Sequence, residues 1–195
     1  LDSFEEYQTK KLLPIGVVPF AVIIKNNQDL INAANQSWDF LLSKKLKGKI
    51  IFPQSPRIIM SIAKKISAKN SLRKLKAQEI LFDDQNAMNW LINSQRTVAI
   101  VPYFLVKRYL KIDSRLYAVF PNEGVPLIWY FLLSKSKINN QILIDWIKSF
   151  DKRATIDELA NQGWYLPFNN ESSQNKYNFS IKKNIIGPSK ICWEN

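Results

Sequence analysis

"IIFPQSPRIIMSIAKKI", residues 50–66, predicts a short buried strand that runs directly into a helix. The strand part is apolar and rich in β-branched residues, as expected for a central position in a parallel sheet. Ser55 is a favoured N-cap residue, and Pro56 occupies the first helical position that proline prefers. Isoleucines then recur at helical spacing and give the helix one apolar face. A strand that delivers its chain to a helix N-terminus can form a ligand site.

The pattern of short apolar strands and amphipathic helices continues on both sides of this stretch. It predicts strands over 17–25, 49–53, 97–102, 115–121 and 125–135, and helices over 37–45, 56–66, 85–95, 103–112, 140–150 and 155–162. Residues 26–36 are polar and predict a connection, and the stretch after Pro167 predicts an extended polar tail. Alternating strands and helices are typical of an α/β fold with a mixed, mostly parallel sheet.

Composition excludes several kinds of chemistry. The chain of 195 residues has no histidine and one cysteine, Cys192, which rules out Ser-His-Asp and Cys-His mechanisms and a cysteine metal cluster. Its five glycines are not clustered as a P-loop or a dinucleotide-binding turn requires. Asp83 and Asp84 are adjacent, so helix capping explains them better than paired catalysis. We therefore expect no enzyme, no cofactor and no metal site.

The net charge of +12 suggests an anionic partner, and it equally suits an AT-rich coding sequence. Two interpretations of one basic set stay open: phosphate neutralisation on a nucleic acid, or a solvated helix face. No aromatic residue interleaves this set, as base stacking would need, so binding to nucleic acid is not expected. The set comprises Lys64, Lys65, Lys69, Arg73, Lys74 and Lys76.

Two further features each allow a structural and a functional interpretation. At Ser55-Pro56-Arg57 the alternatives are simple capping and a helix N-terminus that receives an anion or polar oxygen. The strand "LIWYFLL", residues 127–133, carries large rings on both faces. Its rings are either buried between helices, or Trp129 and Tyr130 line a cleft and hold a ligand.

Four segments together resemble solute-binding proteins of ABC importers, of the polyamine (spermidine/putrescine) type. They are "SWDFLLSKKLKGKIIFPQSPRIIM" (37–60), "FDDQNAMNWLINSQRTVAIVP" (82–102), "VFPNEGVPLIWYFLL" (119–133) and "WIKSFDKRATIDELANQGWYLPFN" (146–169). They are similar to the family's Ser-Trp-Asp helix, its Asp-Pro-Arg-Glu helix start, its Tyr-Pro-x-Glu-Gly turn and its C-terminal helices. Their order and spacing match over roughly residues 12–170.

The resemblance implies a periplasmic, two-lobed protein of the type II periplasmic binding fold, which delivers a small solute to a membrane permease. It implies that this chain is the later part of such a protein. Residues 17–125 would form one complete α/β lobe, and 126–168 the crossover strand and C-terminal helices of an incomplete lobe, followed by a polar tail, 169–195. A signal peptide and about a hundred residues would then precede Leu1.

The departures from the family concern charge. Where polyamine-binding members carry acids, this chain has Ser55, Ile58 and Tyr130, and Pro102 with Tyr103 replaces a tryptophan. Because a buried ammonium without a counter-charge costs several kcal/mol, polyamine binding in the usual manner is not expected. We predict a neutral or anionic solute in an interlobe cleft. The predicted ligand-binding residues are Ser55, Arg57, Tyr103, Trp129 and Tyr130. The alternative function is a basic protein that binds nucleic acid or an anionic surface.

Overall fold

The computed structural model describes residues 12–133, Asp145 and 153–164, and these form alternating strands and helices. The strands are β1 (Leu12–Lys25), β2 (Ile50–Phe52), β3 (Leu81–Phe82), β4 (Val98–Pro102), β5 (Leu116–Val119) and β6 (Leu127–Leu133). The helices are α1 (Gln28–Gln36), α2 (Pro56–Lys65), α3 (Ser71–Lys76), α4 (Ala87–Asn93), α5 (Tyr103–Ile112) and α6 (Arg153–Asn161). Two 3₁₀ turns, Trp38–Leu42 and Lys44–Leu46, connect α1 to β2.

The strands form a mixed sheet in the order β3-β2-β4-β1-β5, and β6 also pairs with β1. β2 is parallel to both β3 and β4, whereas β1 is antiparallel to both β4 and β5. Of the five strands in this order, β2, β3, β4 and β5 therefore run in one direction. Strand β1 lies between β4 and β5 and runs in the opposite direction. This confirms the predicted fold class, a mixed and mostly parallel α/β architecture.

The chain divides into two compact units. The larger unit contains Pro19–Leu127, and the smaller contains, among the described residues, 12–18, 128–133, Asp145 and 153–164. The long strand β1 contributes residues to both units. The prediction of a lobe over 17–125 and a second part over 126–168 stays a prediction.

The core of the larger unit lies on both faces of its sheet. Ala21, Val22, Ile23 and Ile24 are all fully buried, although successive side chains of a strand point to opposite faces. Ala21 and Ile23 share a cluster with residues from α4 and α5, among them Leu91 and Val106. Burial on both faces explains why the strands are continuously apolar in sequence rather than alternating.

The polar stretch 26–36, predicted as a connection, is a helix in the structure. α1 begins at an Asn27 cap, whose side chain accepts a hydrogen bond from the Leu30 amide at 2.9 Å. Ile31 and Ala34 are its only buried residues. Five of its nine residues are Asn, Gln or Asp, and this polar composition led to the wrong prediction although the apolar residues fall at helical spacing.

The helix predicted over 155–162 is present as α6, which begins at Arg153, two residues earlier than predicted. The end of α6 at Asn161 lies within one residue of the predicted end at 162. Gly163 has a φ of 92°, its amide bonds Ala160, and the Trp164 amide bonds the Leu159 carbonyl at 2.9 Å. This is the Schellman arrangement. Of the helix predicted over 140–150 only Asp145 is described, and the tail 169–195 lies outside the described residues.

Candidate functional site

The carboxyl ends of three parallel strands meet at one edge of the sheet. Ser55 lies three residues after β2, Asp83 directly follows β3, and Tyr103 directly follows β4. Ligands of open α/β sheets bind outside the carboxyl ends of the strands. This edge is therefore the part of the larger unit where a small-molecule site is expected.

Ser55 stands at the N-cap position of α2, as predicted, but its hydroxyl makes no capping hydrogen bond. The helix start is satisfied instead by the Ser55 carbonyl, which accepts from the amides of Ile58 and Ile59 at 3.2 and 3.3 Å. The expectation that the Ser55 side chain caps α2 was wrong. Pro56 holds the first turn in helical geometry, so the turn forms without that hydrogen bond. The half-buried hydroxyl is left available at the strand edge. Arg57, in the first turn of α2, is exposed.

Both carboxylates at this edge serve the backbone. Asp83 accepts hydrogen bonds from the amides of Gln85 and Asn86, and from the Trp90 indole at 3.0 Å. The Asn86 amide bond, followed by the Trp90 bond, lowers the pKa of Asp83. Asp84 accepts from the Gln54 amide at 3.1 Å and so ties the β2 loop to the β3 loop. These contacts are structural, but the N-cap residue of α4 is Asn86, so helix capping by Asp83 or Asp84 was the wrong interpretation.

Tyr103 begins α5 at the end of β4. Its ring meets Phe120, which follows β5, edge-on at a centroid distance of 5.4 Å. Burial raises the pKa of the Tyr103 phenol, so the group is a neutral donor and acceptor. Sequence reasoning missed Phe120, and only its position after an apolar strand could have indicated it.

The turn between β5 and β6 is tied to three separate segments. The Trp38 indole donates to the Gly124 carbonyl at 2.9 Å, and the Trp38 amide bonds the Glu123 carboxylate at 3.2 Å. The Asn122 amide donates to the Asn35 carbonyl at 3.0 Å. Lys65, from α2, donates its ammonium to the Glu123 carbonyl at 2.7 Å.

The solvated-face interpretation of the basic set requires Lys65 to point into solvent. Lys65 is instead bound to the Glu123 carbonyl, so it does not belong to such a face. Desolvation lowers its pKa, and the nearby Glu123 opposes that shift. The other five members of the set, Lys64, Lys69, Arg73, Lys74 and Lys76, are exposed.

Trp129 and Tyr130 lie on β6, in the smaller unit. The Trp129 ring stacks on Phe131, two residues along the same strand face, at 6.2 Å. Tyr130, on the opposite face, packs against Trp164 at 4.5 Å. Trp164 was not singled out from the sequence. Its place is set by the Gly163 turn that ends α6.

The predicted site residues thus fall into two groups. Ser55, Arg57 and Tyr103 lie at one edge of the larger unit, and Trp129 and Tyr130 belong to the smaller unit. A pocket formed by all five stays a prediction. Within the described ranges, no group of three or more metal-ligating side chains occurs. None of the helices described combines the length and apolarity needed to cross a bilayer.

No protein-family model matches the sequence, and no curated protein matches it. Several solved structures, however, are similar to the fold of this chain. The spermidine/putrescine ABC transporter substrate-binding protein PotD from Streptococcus pneumoniae superposes with a TM-score of 0.63 at 14% identity, covering 93% of this chain and 64% of that protein. An ABC transporter protein from Clostridium perfringens gives a TM-score of 0.63 at 13% identity, covering 95% of this chain and 65% of that one.

A third match is described as a two-component system protein that mediates signal transduction, with a TM-score of 0.67, 13% identity and coverage of 91% and 66%. At these identities the likeness shows the fold alone. The chain has the fold of the solute-binding proteins of ABC transporters, and it spans about two thirds of their length or less. No ligand follows from this likeness, and none of these three proteins is described as binding nucleic acid.

Proposed function

We propose that this chain is a non-enzymatic solute-binding component of an ABC-type importer, or a part of one. It would hold a small neutral or anionic solute between two lobes and deliver it to a membrane permease, with a periplasmic location. The pocket wall would consist of Ser55, Arg57, Tyr103, Trp129 and Tyr130. The likeness of the whole described fold to ABC-transporter binding proteins supports the proposal.

The observation that carries the choice of ligand is the chemistry at the carboxyl edge of the sheet. Ser55 offers a hydroxyl that caps nothing, and Tyr103 offers a phenol that burial keeps neutral. The α2 N-terminus adds the positive end of a helix dipole and the exposed Arg57. The carboxylates of Asp83 and Asp84 are hydrogen-bonded to backbone amides. An anionic or hydroxylated group suits this edge better than an ammonium group.

Calorimetric titration of the 195-residue chain with spermidine tests the ligand class. We expect no saturable heat at millimolar spermidine, because the chain supplies no free pair of carboxylates at this edge. Dissociation constants below about 10 μM, equivalent to nearly 7 kcal/mol, would contradict both the charge argument and the view that part of the cleft lies outside this chain.

Amide NMR shifts on addition of inorganic phosphate or glucose test the location. The perturbed amides should centre on residues 54, 55, 57, 58 and 103, with weak binding that Tyr103→Phe reduces. Tyr109→Phe, an exposed tyrosine of the same helix, is the matched control and should leave binding unchanged. Perturbation centred elsewhere, or equal effects of the two substitutions, would argue against this pocket.

A further inference from the structure

The segment that connects the first 3₁₀ turn to β3 has an unusual charge distribution. From Lys44 to Gln78 the sequence contains eleven Lys or Arg residues and no Asp or Glu. Only Lys47 in this stretch forms a salt bridge among the described residues, with Glu79 at 2.8 Å. Lys65 is committed to the Glu123 carbonyl. Most of the positive charge therefore faces solvent unpaired.

The fold gathers much of this charge on one helical hairpin. α2 and α3 pack together, with Ile62, Ala63 and Leu75 buried beneath them. The Ser71 hydroxyl donates to the Ala63 carbonyl at 2.6 Å and fixes one helix to the other. Asp39 accepts hydrogen bonds from both the amide and the hydroxyl of Ser67, which anchors the connection between the helices. The hairpin is therefore a preorganised surface.

The outer side of this hairpin combines cations with large apolar side chains. Met60 and Leu72 are 51% and 50% exposed. Met60 lies one turn before the exposed Lys64, and Leu72 lies one turn before the exposed Lys76. We define the basic hairpin surface as Met60, Lys64, Lys69, Leu72, Arg73, Lys74 and Lys76. Exposed aliphatic groups beside unpaired cations are the composition that binds the headgroup region of an anionic membrane.

We propose that the basic hairpin surface docks this protein onto an anionic lipid bilayer. The ammonium and guanidinium groups would contact lipid phosphates, and Met60 and Leu72 would enter the headgroup boundary. Charge complementarity favours this occupant, because the surface carries five cations without a counter-ion among the described residues. Met60 and Leu72 favour a bilayer over a nucleic acid, because a surface that binds nucleic acid is expected to carry aromatic rings that stack on the bases. The proposal does not depend on the identity of the transported solute.

Sedimentation with lipid vesicles tests the proposal. The chain should bind vesicles that contain about 30% phosphatidylglycerol and leave pure phosphatidylcholine vesicles unbound. Raising NaCl from about 50 to about 300 mM should release it, because salt screens exposed charges. Wild-type protein that partitions equally to both vesicle types would overturn the proposal.

The chain offers an unusually well-matched control pair for this experiment. Arg73→Gln/Lys76→Gln removes two exposed cations of the basic hairpin surface, and Arg108→Gln/Lys111→Gln removes the same residue types at the same spacing from α5. The first pair should weaken vesicle binding about 30-fold, and the second less than about 3-fold. Equal losses would show that the basic hairpin surface is not the preferred contact and would overturn its assignment.

A third variant separates the lipid from other polyanions. Leu72→Ser keeps every charge and should weaken vesicle binding several-fold while leaving heparin binding unchanged. Circular dichroism melts of all variants should match the wild type, because every substituted side chain is exposed. Tighter binding to single-stranded DNA than to anionic vesicles in the same buffer would contradict the choice of a bilayer.

Discussion

Thr97 shows how a single side chain can cost stability inside a well-packed sheet. Thr97 directly precedes β4. Its amide donates a hydrogen bond to the Lys49 carbonyl, and its carbonyl accepts one from the Lys25 amide. Its hydroxyl is buried and has no hydrogen-bond partner within the described part of the chain. A buried polar group without a partner destabilises the folded state relative to the unfolded chain, where water solvates it.

Thr97→Val should therefore raise the free energy of unfolding by about 1 kcal/mol, since it removes the hydroxyl and keeps the branched shape. Urea denaturation followed by circular dichroism measures the change. Thr97→Ser is the control: it keeps the hydroxyl, loses the methyl group and should destabilise. A valine variant that is less stable than wild type would show that the hydroxyl has a partner in solution.

Among the described carboxylates, Asp113 is the one whose protonation should lower the free energy of unfolding most. Arg115 donates to it through Nε at 2.9 Å, through a terminal guanidinium nitrogen at 2.7 Å and through its amide at 3.0 Å. These bonds lower the pKa of Asp113 from 3.8 to about 2. Because the folded state holds the proton less tightly than the unfolded state, this contribution is complete above the unfolded pKa and disappears as pH falls toward the folded pKa.

Wild-type stability should consequently decline between pH values of about 4 and about 2, and Asp113→Asn should flatten part of that decline. The urea midpoint, measured across this range at constant ionic strength, reports the effect. Asp29→Asn is the comparison, because Asp29 has no ion pair among the described residues. If the asparagine variant kept the full wild-type pH dependence, the Arg115 contact would not persist in solution.

At the scale of single elements, sequence periodicity predicted some helices well and missed two, α1 and the short α3. α5 has the predicted bounds, Tyr103–Ile112, because a strand ending in proline precedes it. α2 begins at Pro56 as predicted. α1 was missed because five of its nine residues are Asn, Gln or Asp and only two of its side chains are buried. Its stability comes from the Asn27 cap and from tertiary contact, which local propensity does not contain.

The 3₁₀ turn Trp38–Leu42 matters for the site because it holds the turn that precedes β6. Trp38 is fully buried, and its indole supplies the bond to the Gly124 carbonyl. The sequence predicted a helix over 37–45, and the turn begins at Ser37, whose hydroxyl accepts from the Asp39 amide at 3.1 Å. The sequence did not indicate that the Trp38 indole would donate to the Gly124 carbonyl.

Trp38→Phe should lower the free energy of unfolding by about 2 to 3 kcal/mol, because it removes volume and leaves a buried carbonyl without its donor. Trp90→Phe is the matched control. Its indole bonds the carboxylate of Asp83 at a site where the ring is 44% exposed, so the loss should stay near 0.5 kcal/mol. Similar losses for both variants, in urea denaturation, would contradict the special role of the Trp38 contact.

At the scale of the whole molecule, the fold class followed from sequence and the strand order did not. Alternating apolar strands and amphipathic helices predict two helical layers around a sheet. They do not predict that β1 runs antiparallel between β4 and β5, because that placement depends on pairings between distant strands. The mostly parallel direction was nevertheless correct.

The candidate site was predictable only in part for the same reason. Ser55 and Tyr103 follow parallel strands, and the edge they share could be inferred from the strand pattern alone. Phe120 and the tied turn at Glu123 could not, since they depend on contacts between residues far apart in sequence. The aromatic strand 127–133 singled out Trp129 and Tyr130 in the sequence, and their part in a common pocket rests on the proposed function.

The bond between the Trp38 indole and Gly124 joins residues 86 positions apart. Closing this contact brings together segments that are separated by most of the larger unit, so its entropic cost belongs to a long loop. Until the loop closes, the unit lacks the buried bond that holds its last turn. The larger unit therefore reaches its full stability only once the Asn-Glu-Gly turn has docked on the tryptophan.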